Sequence, residues 1–163
     1  MKTAIVVFSI IFCTLFYSCI QIKQYPPEPS IAFVNYYSKK DTQDLLGNNA
    51  YFGKITVSFL DGDGDIGLEE ADTFPPYDTA SAFYYNLFVK QVRKKDTVIT
   101  FKEYNSRMPS ITPKGQNKTL QGEIDVFVLI TLPFPDSIKY EIRIADRSLH
   151  ESNTVTTSMY PVY

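Results

Sequence analysis

The chain has 163 residues, enough for one domain with a self-sufficient core, so neither a disulfide nor a metal is required to hold it. Two Cys, one His and no Trp exclude a disulfide scaffold, a Cys/His zinc site and most histidine-based catalysis. A formal net charge of −2 argues against nucleic acid as a partner.

Lys2 is the one charge before Lys23, and residues 4–17 are a nearly continuous apolar run that ends at Ser18-Cys19. A basic start, an apolar centre and a small residue at the end make an export signal. Ser18-Cys19 resembles the lipobox of bacterial lipoproteins. That resemblance implies cleavage after Ser18 and a lipid on Cys19, which would anchor the chain to the membrane. It divides the chain into a signal peptide (1–18), a lipid-anchored linker (19–29) and a domain (30–163). Two other readings of the run stay open: an uncleaved membrane anchor, since about 20 uncharged residues can span a bilayer, and plain secretion. All three place the domain outside the cytoplasm. No acid occurs in Ile20, Gln21, Ile22 and Lys23, and by the same resemblance this favours the outer membrane, facing the periplasm, over the cell surface.

Pro26, Pro27 and Pro29 predict an extended, semi-rigid spacer. Beyond it, period-two alternation and β-branched or aromatic content predict strands over 30–37, 51–60, 82–94, 97–104, 120–132, 138–145 and 153–158. Ile55, Val57 and Phe59 share one face, as do Ile124, Val126, Val128 and Ile130, and Ile138, Tyr140, Ile142 and Ile144. Lys95-Asp96 suits a hairpin turn, and the prolines fall at or near strand ends. About seven alternating strands with no helical period predict an all-β fold, a single antiparallel β-sandwich.

Residues 132–157, LPFPDSIKYEIRIADRSLHESNTVTT, resemble the last hairpin of fibronectin type III and related immunoglobulin-like modules. The resemblance implies an immunoglobulin-like sandwich. It also implies that Tyr140 forms a tyrosine corner, its hydroxyl bonded to backbone a few residues upstream.

Residues 61–78, DGDGDIGLEEADTFPPYD, hold seven of the chain's 18 acids and no Lys or Arg. Asp at alternate positions on a Gly-softened loop is what a hard cation needs, since calcium takes six to eight oxygens. Counted from Asp61, carboxylates stand at positions 1, 3, 5, 9 and 12: Asp61, Asp63, Asp65, Glu69 and Asp72. This resembles the DxDxDG calcium loops. A strand before the loop and a Pro-containing segment after it exclude an EF-hand, which has helices on both sides. A metal-free, solvated Asp-Gly turn and another cation or a basic partner remain open alternatives. DGDGDIGLEE together with the ending SNTVTT also resembles uncharacterised bacterial surface lipoproteins with an immunoglobulin-like domain, a resemblance that implies location and fold but no activity.

Lys90, Arg93, Lys94 and Lys95 form a basic cluster that reads as a solvated hairpin tip, or as a dock for an acidic partner or lipid headgroups. His150 reads as an exposed loop residue, because no nucleophile motif accompanies it. In Tyr36-Tyr37 and Tyr84-Tyr85 one ring of each pair should face outward, where it could decorate the sheet or stack on a sugar. Asn117-Lys118-Thr119 is a sequon, which carries no weight if the host is bacterial, as the lipobox resemblance implies. The acids are bunched on one loop rather than set across a cleft, which argues against a glycosidase. The reading is a non-catalytic, membrane-anchored binding or structural module with a calcium-stabilised loop, its partner an envelope protein or glycan. The alternative is a metal-free accessory subunit of a cell-envelope assembly.

Overall fold

The structure, a computed structural model, describes residues 24–112 and 119–162. The signal segment 1–18, Cys19 and most of the sequon lie outside the described residues. Eight strands follow in order: β1 (Ser30–Gln43), β2 (Asn49–Asp61), β3 (Leu87–Lys95), β4 (Val98–Glu103), β5 (Leu120–Ile130), β6 (Ser137–Ile144), β7 (Val155–Thr156) and β8 (Tyr160–Pro161). One sheet runs β1-β2-β5 and the other β4-β3-β6-β7, with β8 also on β6. Every strand pairing is antiparallel. The chain is thus the all-β sandwich that alternation predicted. Among the described residues no helix is long and apolar enough to cross a membrane.

The inward faces are the predicted ones. Ile55 and Val57 of β2 meet Val126, Val128 and Ile130 of β5 and Ile138, Tyr140, Ile142 and Ile144 of β6 in one buried cluster. Burying each such side chain stabilises the fold by about 1.5–3 kcal/mol. Tyr36 faces inward, its ring 5.5 Å from Tyr140 and 4.4 Å from Tyr160, while Tyr37 is exposed.

Four expectations are corrected. Strand β3 begins at Leu87 rather than 82, because residues 62–86 form one long connection that ends only where Asn86 turns into the sheet. The last strand is split: β7 pairs Glu141 with Thr156 and β8 pairs Ile138 with Tyr160, so one extra residue bulges between them. Thr157 fills that gap, its Oγ1 accepting the Tyr140 N–H at 3.0 Å. Tyr140 is no tyrosine corner. It sits mid-strand, fully buried, and its hydroxyl accepts a hydrogen bond from Gln91 Nε2 on β3 at 2.9 Å instead of reaching upstream backbone. Residues 24–29 do not stand off the domain as a spacer. Pro29 is buried, and the carbonyls of Tyr25 and Pro26 lie so close to Gly62 that a Cβ there would meet them at 2.4 and 2.1 Å.

The basic cluster is partly structural. Arg93 spans to the β5–β6 connection, donating to the carbonyls of Thr131 and Pro133 at 2.9 and 2.8 Å. Lys90 pairs with Glu141 at 3.6 Å and covers the Phe101 ring. Lys94 and Lys95 are exposed.

Candidate metal centre

Strand β2 ends at Asp61 and β6 at Ile144, and the proximity of Asp61 to Asp146 places both ends at the same end of the sandwich. The β2–β3 connection is not a loose acidic turn. Ile66 and Leu68 are buried, 1% and 3% exposed, and dock it on the core. Its backbone bonds to 108–111: Leu68 N–H to the Met108 carbonyl, Ser110 N–H back to the Leu68 carbonyl, both at 2.9 Å. Gly67 makes this contact possible. Its φ of +94° suits glycine, and a Cβ would meet the Pro109 carbonyl oxygen at 2.1 Å.

Two arginines order the rest. Arg107 donates from one guanidinium to the carbonyls of Tyr77, Tyr84, Glu69 and Asp72. Arg147 pairs with Glu69 at 3.2 Å and Asp72 at 2.9 Å. Asp72 also accepts the Glu69 N–H at 2.9 Å.

The consequence is a division of the predicted ligands. Asp61, Asp63 and Asp65 converge, joined by Asp146, with one carboxylate oxygen from each lying within 4.8 Å of all the others. Glu69 and Asp72 are not in this group. A loop counted as if it closed on itself placed them there, whereas burial of Ile66 and Leu68 turns the chain away and gives their charges to Arg147. Asp146 takes the place, and sequence reasoning missed it. It follows β6 by two residues, and nothing in a linear pattern joins it to the 61–65 segment. The one available signal was His150 four residues on, which was read as an exposed loop residue. His150 does lie in a loop with its side chain 36% exposed, but it is tied down: its backbone N–H donates to Asp146 Oδ1 at 2.8 Å and its Nδ1 lies 2.9 Å from Oδ2.

Three of the four carboxylates accept hydrogen bonds, that of Asp146 from the His150 N–H. Asp61 Oδ2 accepts the Asp65 N–H at 2.9 Å, and Asp65 Oδ2 accepts the Ser148 hydroxyl at 2.7 Å. Asp61 Oδ1, Asp63 Oδ1 and Asp65 Oδ1 are buried and meet no hydrogen-bond donor among the described residues. Asp61 as a whole is 0% exposed. Buried polar atoms are ordinarily paired, and an unpaired one costs about 1–3 kcal/mol. Three such oxygens lie together in a cluster of four carboxylates that could take a positive charge.

Electrostatics agree with the geometry. Burial, then the neighbouring Asp63 carboxylate, pushes the Asp61 carboxyl up to about 7. Burial also raises Asp146, although the His150 backbone N–H opposes this. The hydrogen bond to the Asp146 carboxylate, and then that carboxylate's charge, raise His150, with smaller contributions from Asp63 and Glu28. The arrangement can hold a metal ion through four carboxylates.

Comparison of the chain with family models, with curated proteins and with solved structures finds no match.

Proposed function

We propose that this is a non-catalytic extracytoplasmic module in which a calcium ion ties together the two connections at one end of an immunoglobulin-like sandwich. The observation that carries the reading is the set of three buried oxygens on Asp61, Asp63 and Asp65 without a donor among the described residues, in a cluster completed by Asp146. The donor chemistry selects the ion. Four carboxylates offer up to eight hard oxygens and no sulfur or ring nitrogen, which suits calcium over zinc or copper. Ser148 and His150 act as the outer hydrogen-bond partners that orient ligating carboxylates.

Location follows from the N-terminal sequence: an apolar export run ending in Ser18-Cys19, read as lipidation of Cys19 and anchorage in the bacterial envelope, periplasm-facing. The partner in that setting is an envelope protein or a glycan. The strand order, with the first, second and fifth strands in one sheet and the third, fourth, sixth and seventh in the other, supports the immunoglobulin-like assignment.

The test is calorimetric titration of the full chain in detergent with calcium, magnesium and zinc chlorides, after EDTA treatment. One calcium bound per chain, in preference to magnesium and zinc, is the expected result. Absence of calcium binding sinks the reading. Mass spectrometry of the membrane-derived protein tests the anchor: diacylglyceryl mass on Cys19 supports it, and an intact Met1 contradicts it.

A further inference from the structure

The N-terminal segment of the described chain is held from two sides, and each holding group belongs to one of the two metal-bearing connections. From the β2–β3 side, Gly62, flanked by Asp61 and Asp63, lies flat against the carbonyls of Tyr25 and Pro26. From the β6–β7 side, Asn153 makes a two-point clasp on Ile31: the Ile31 N–H donates to Asn153 Oδ1 at 2.8 Å, and Asn153 Nδ2 donates to the Ile31 carbonyl at 2.9 Å. Between these two points lies the buried Pro29. The same two connections supply the four carboxylates, three from residues 61–65 and Asp146 from beyond β6.

Without a cation the four anions repel across the junction between the connections. With one, the repulsion becomes a shared attraction, and the two surfaces that grip residues 24–31 are fixed relative to each other. We infer that the cation at Asp61, Asp63, Asp65 and Asp146 sets the path by which residues 24–31 enter the sandwich, making docking of this segment metal-dependent. The inference rests on the metal reading above and goes beyond it: the ion's role becomes control of how the domain is carried on its N-terminal tether, in addition to stability. The coupling is reciprocal, so a docked segment also strengthens cation binding.

Hydrogen–deuterium exchange of the full chain in detergent, in millimolar calcium and in EDTA, reads this directly, with calorimetry on the same samples. Pro26, Pro27 and Pro29 carry no amide hydrogen, so the probes are the amides of Tyr25, Glu28, Ser30 and Ile31. Calcium is expected to slow their exchange by roughly tenfold or more, a local opening made rarer by the bound ion. Gly62→Ala forces the Tyr25 and Pro26 carbonyls away while leaving all four carboxylates. It should still bind calcium and should lose the protection at Tyr25 and Glu28. Asn153→Ala leaves residues 62–86 untouched and should lose it at Ile31, so the test survives if the glycine variant folds poorly. Calcium binding with unchanged exchange across residues 24–31 overturns the coupling and leaves the metal site standing. No calcium binding overturns both.

Discussion

Asp61 ends β2 in one sheet and Asp146 follows β6 of the other by two residues, and their carboxylates bring oxygens within 4.8 Å of each other. Each is essentially excluded from solvent, at 0% and 1% exposure. Two buried anions at that separation repel strongly in a medium of reduced dielectric. The fold tolerates the arrangement through the Asp65 N–H on Asp61 and the His150 contacts on Asp146. A cation held there, as proposed, would cross-link the two sheets.

Asp146→Asn therefore separates this geometry from a self-contained loop. A ligand at 100 times its dissociation constant stabilises by about 2.7 kcal/mol, a rise in Tm of very roughly 6–10 °C for a domain of this size. The native chain should show that rise between EDTA and calcium, and Asp146→Asn should lose most of it. An undiminished rise in the variant would assign the ion to the 61–72 segment without Asp146.

Asp72→Ala is the matching control. Its carboxylate is committed to Arg147 and to the Glu69 N–H, so its removal should lower Tm, by about 1 kcal/mol of stability given the partly exposed arginine. Calcium affinity should stay within a few-fold of the native value. A large loss of affinity with an intact fold would restore Asp72 as a ligand. Thermal melts combined with titration distinguish the two outcomes.

Arg107→Lys should be nearly as damaging as Arg107→Ala. Four backbone carbonyls from separate points of the 69–84 segment converge on one planar guanidinium. An ammonium cannot reproduce that fork. The expected cost is on the order of 2–3 kcal/mol for either change, since several carbonyls lose a charged donor. Urea unfolding measures it, and a lysine variant of native stability would show that charge, not shape, orders the segment.

In the core, Tyr140→Phe should cost about 1–3 kcal/mol, because Gln91 Nε2 loses the hydroxyl that it donates to in a fully buried setting. Gln91→Leu combined with Tyr140→Phe should recover much of that loss. A double-mutant cycle reads the coupling, and strict additivity would show that the bond contributes nothing.

How much of this was legible in the sequence depended on range. Alternation at Ile55-Val57-Phe59 and at Ile138 to Ile144 names the inward faces, because a strand's side chains alternate whatever it pairs with. Asp61, Asp63 and Asp65 were legible as a ligand group because the curvature that gathers them is local. Asp146 was not, because its place is fixed by the pairing of β3 with β6 and by the crossing of residues 62–86 between sheets. Glu69 and Asp72 misled for the same reason: spacing counts residues along the chain, whereas Ile66 and Leu68 redirect the chain by burying themselves. Gly62 read as turn chemistry, and its closer constraint, the carbonyls of Tyr25 and Pro26, belongs to a segment whose prolines suggested a free spacer.

The pH response of the metal-free protein has a definite sign. Asp61 is pushed up to about 7 by burial and by Asp63, Asp146 is raised by burial, and His150 is raised by its bond to Asp146. In each case the folded state binds its proton more tightly than the unfolded chain does. Their contribution to stability is therefore complete at low pH and is lost as pH rises, for Asp61 across the window from about 4, the unfolded carboxylate value, to about 7. In EDTA, Tm should climb as pH is lowered from about 8 to about 5, until other carboxylates protonate. Calcium must displace the Asp61 proton, so its affinity falls over the same range. The gap between the calcium and EDTA melting curves should consequently be widest near pH 8 and close toward pH 5. Parallel melts across that range decide the matter: an EDTA curve that falls on acidification from pH 8 to pH 6 would mean that Asp61 ionises freely in the fold, and with it would go the argument that the four carboxylates are a strained, cation-seeking group.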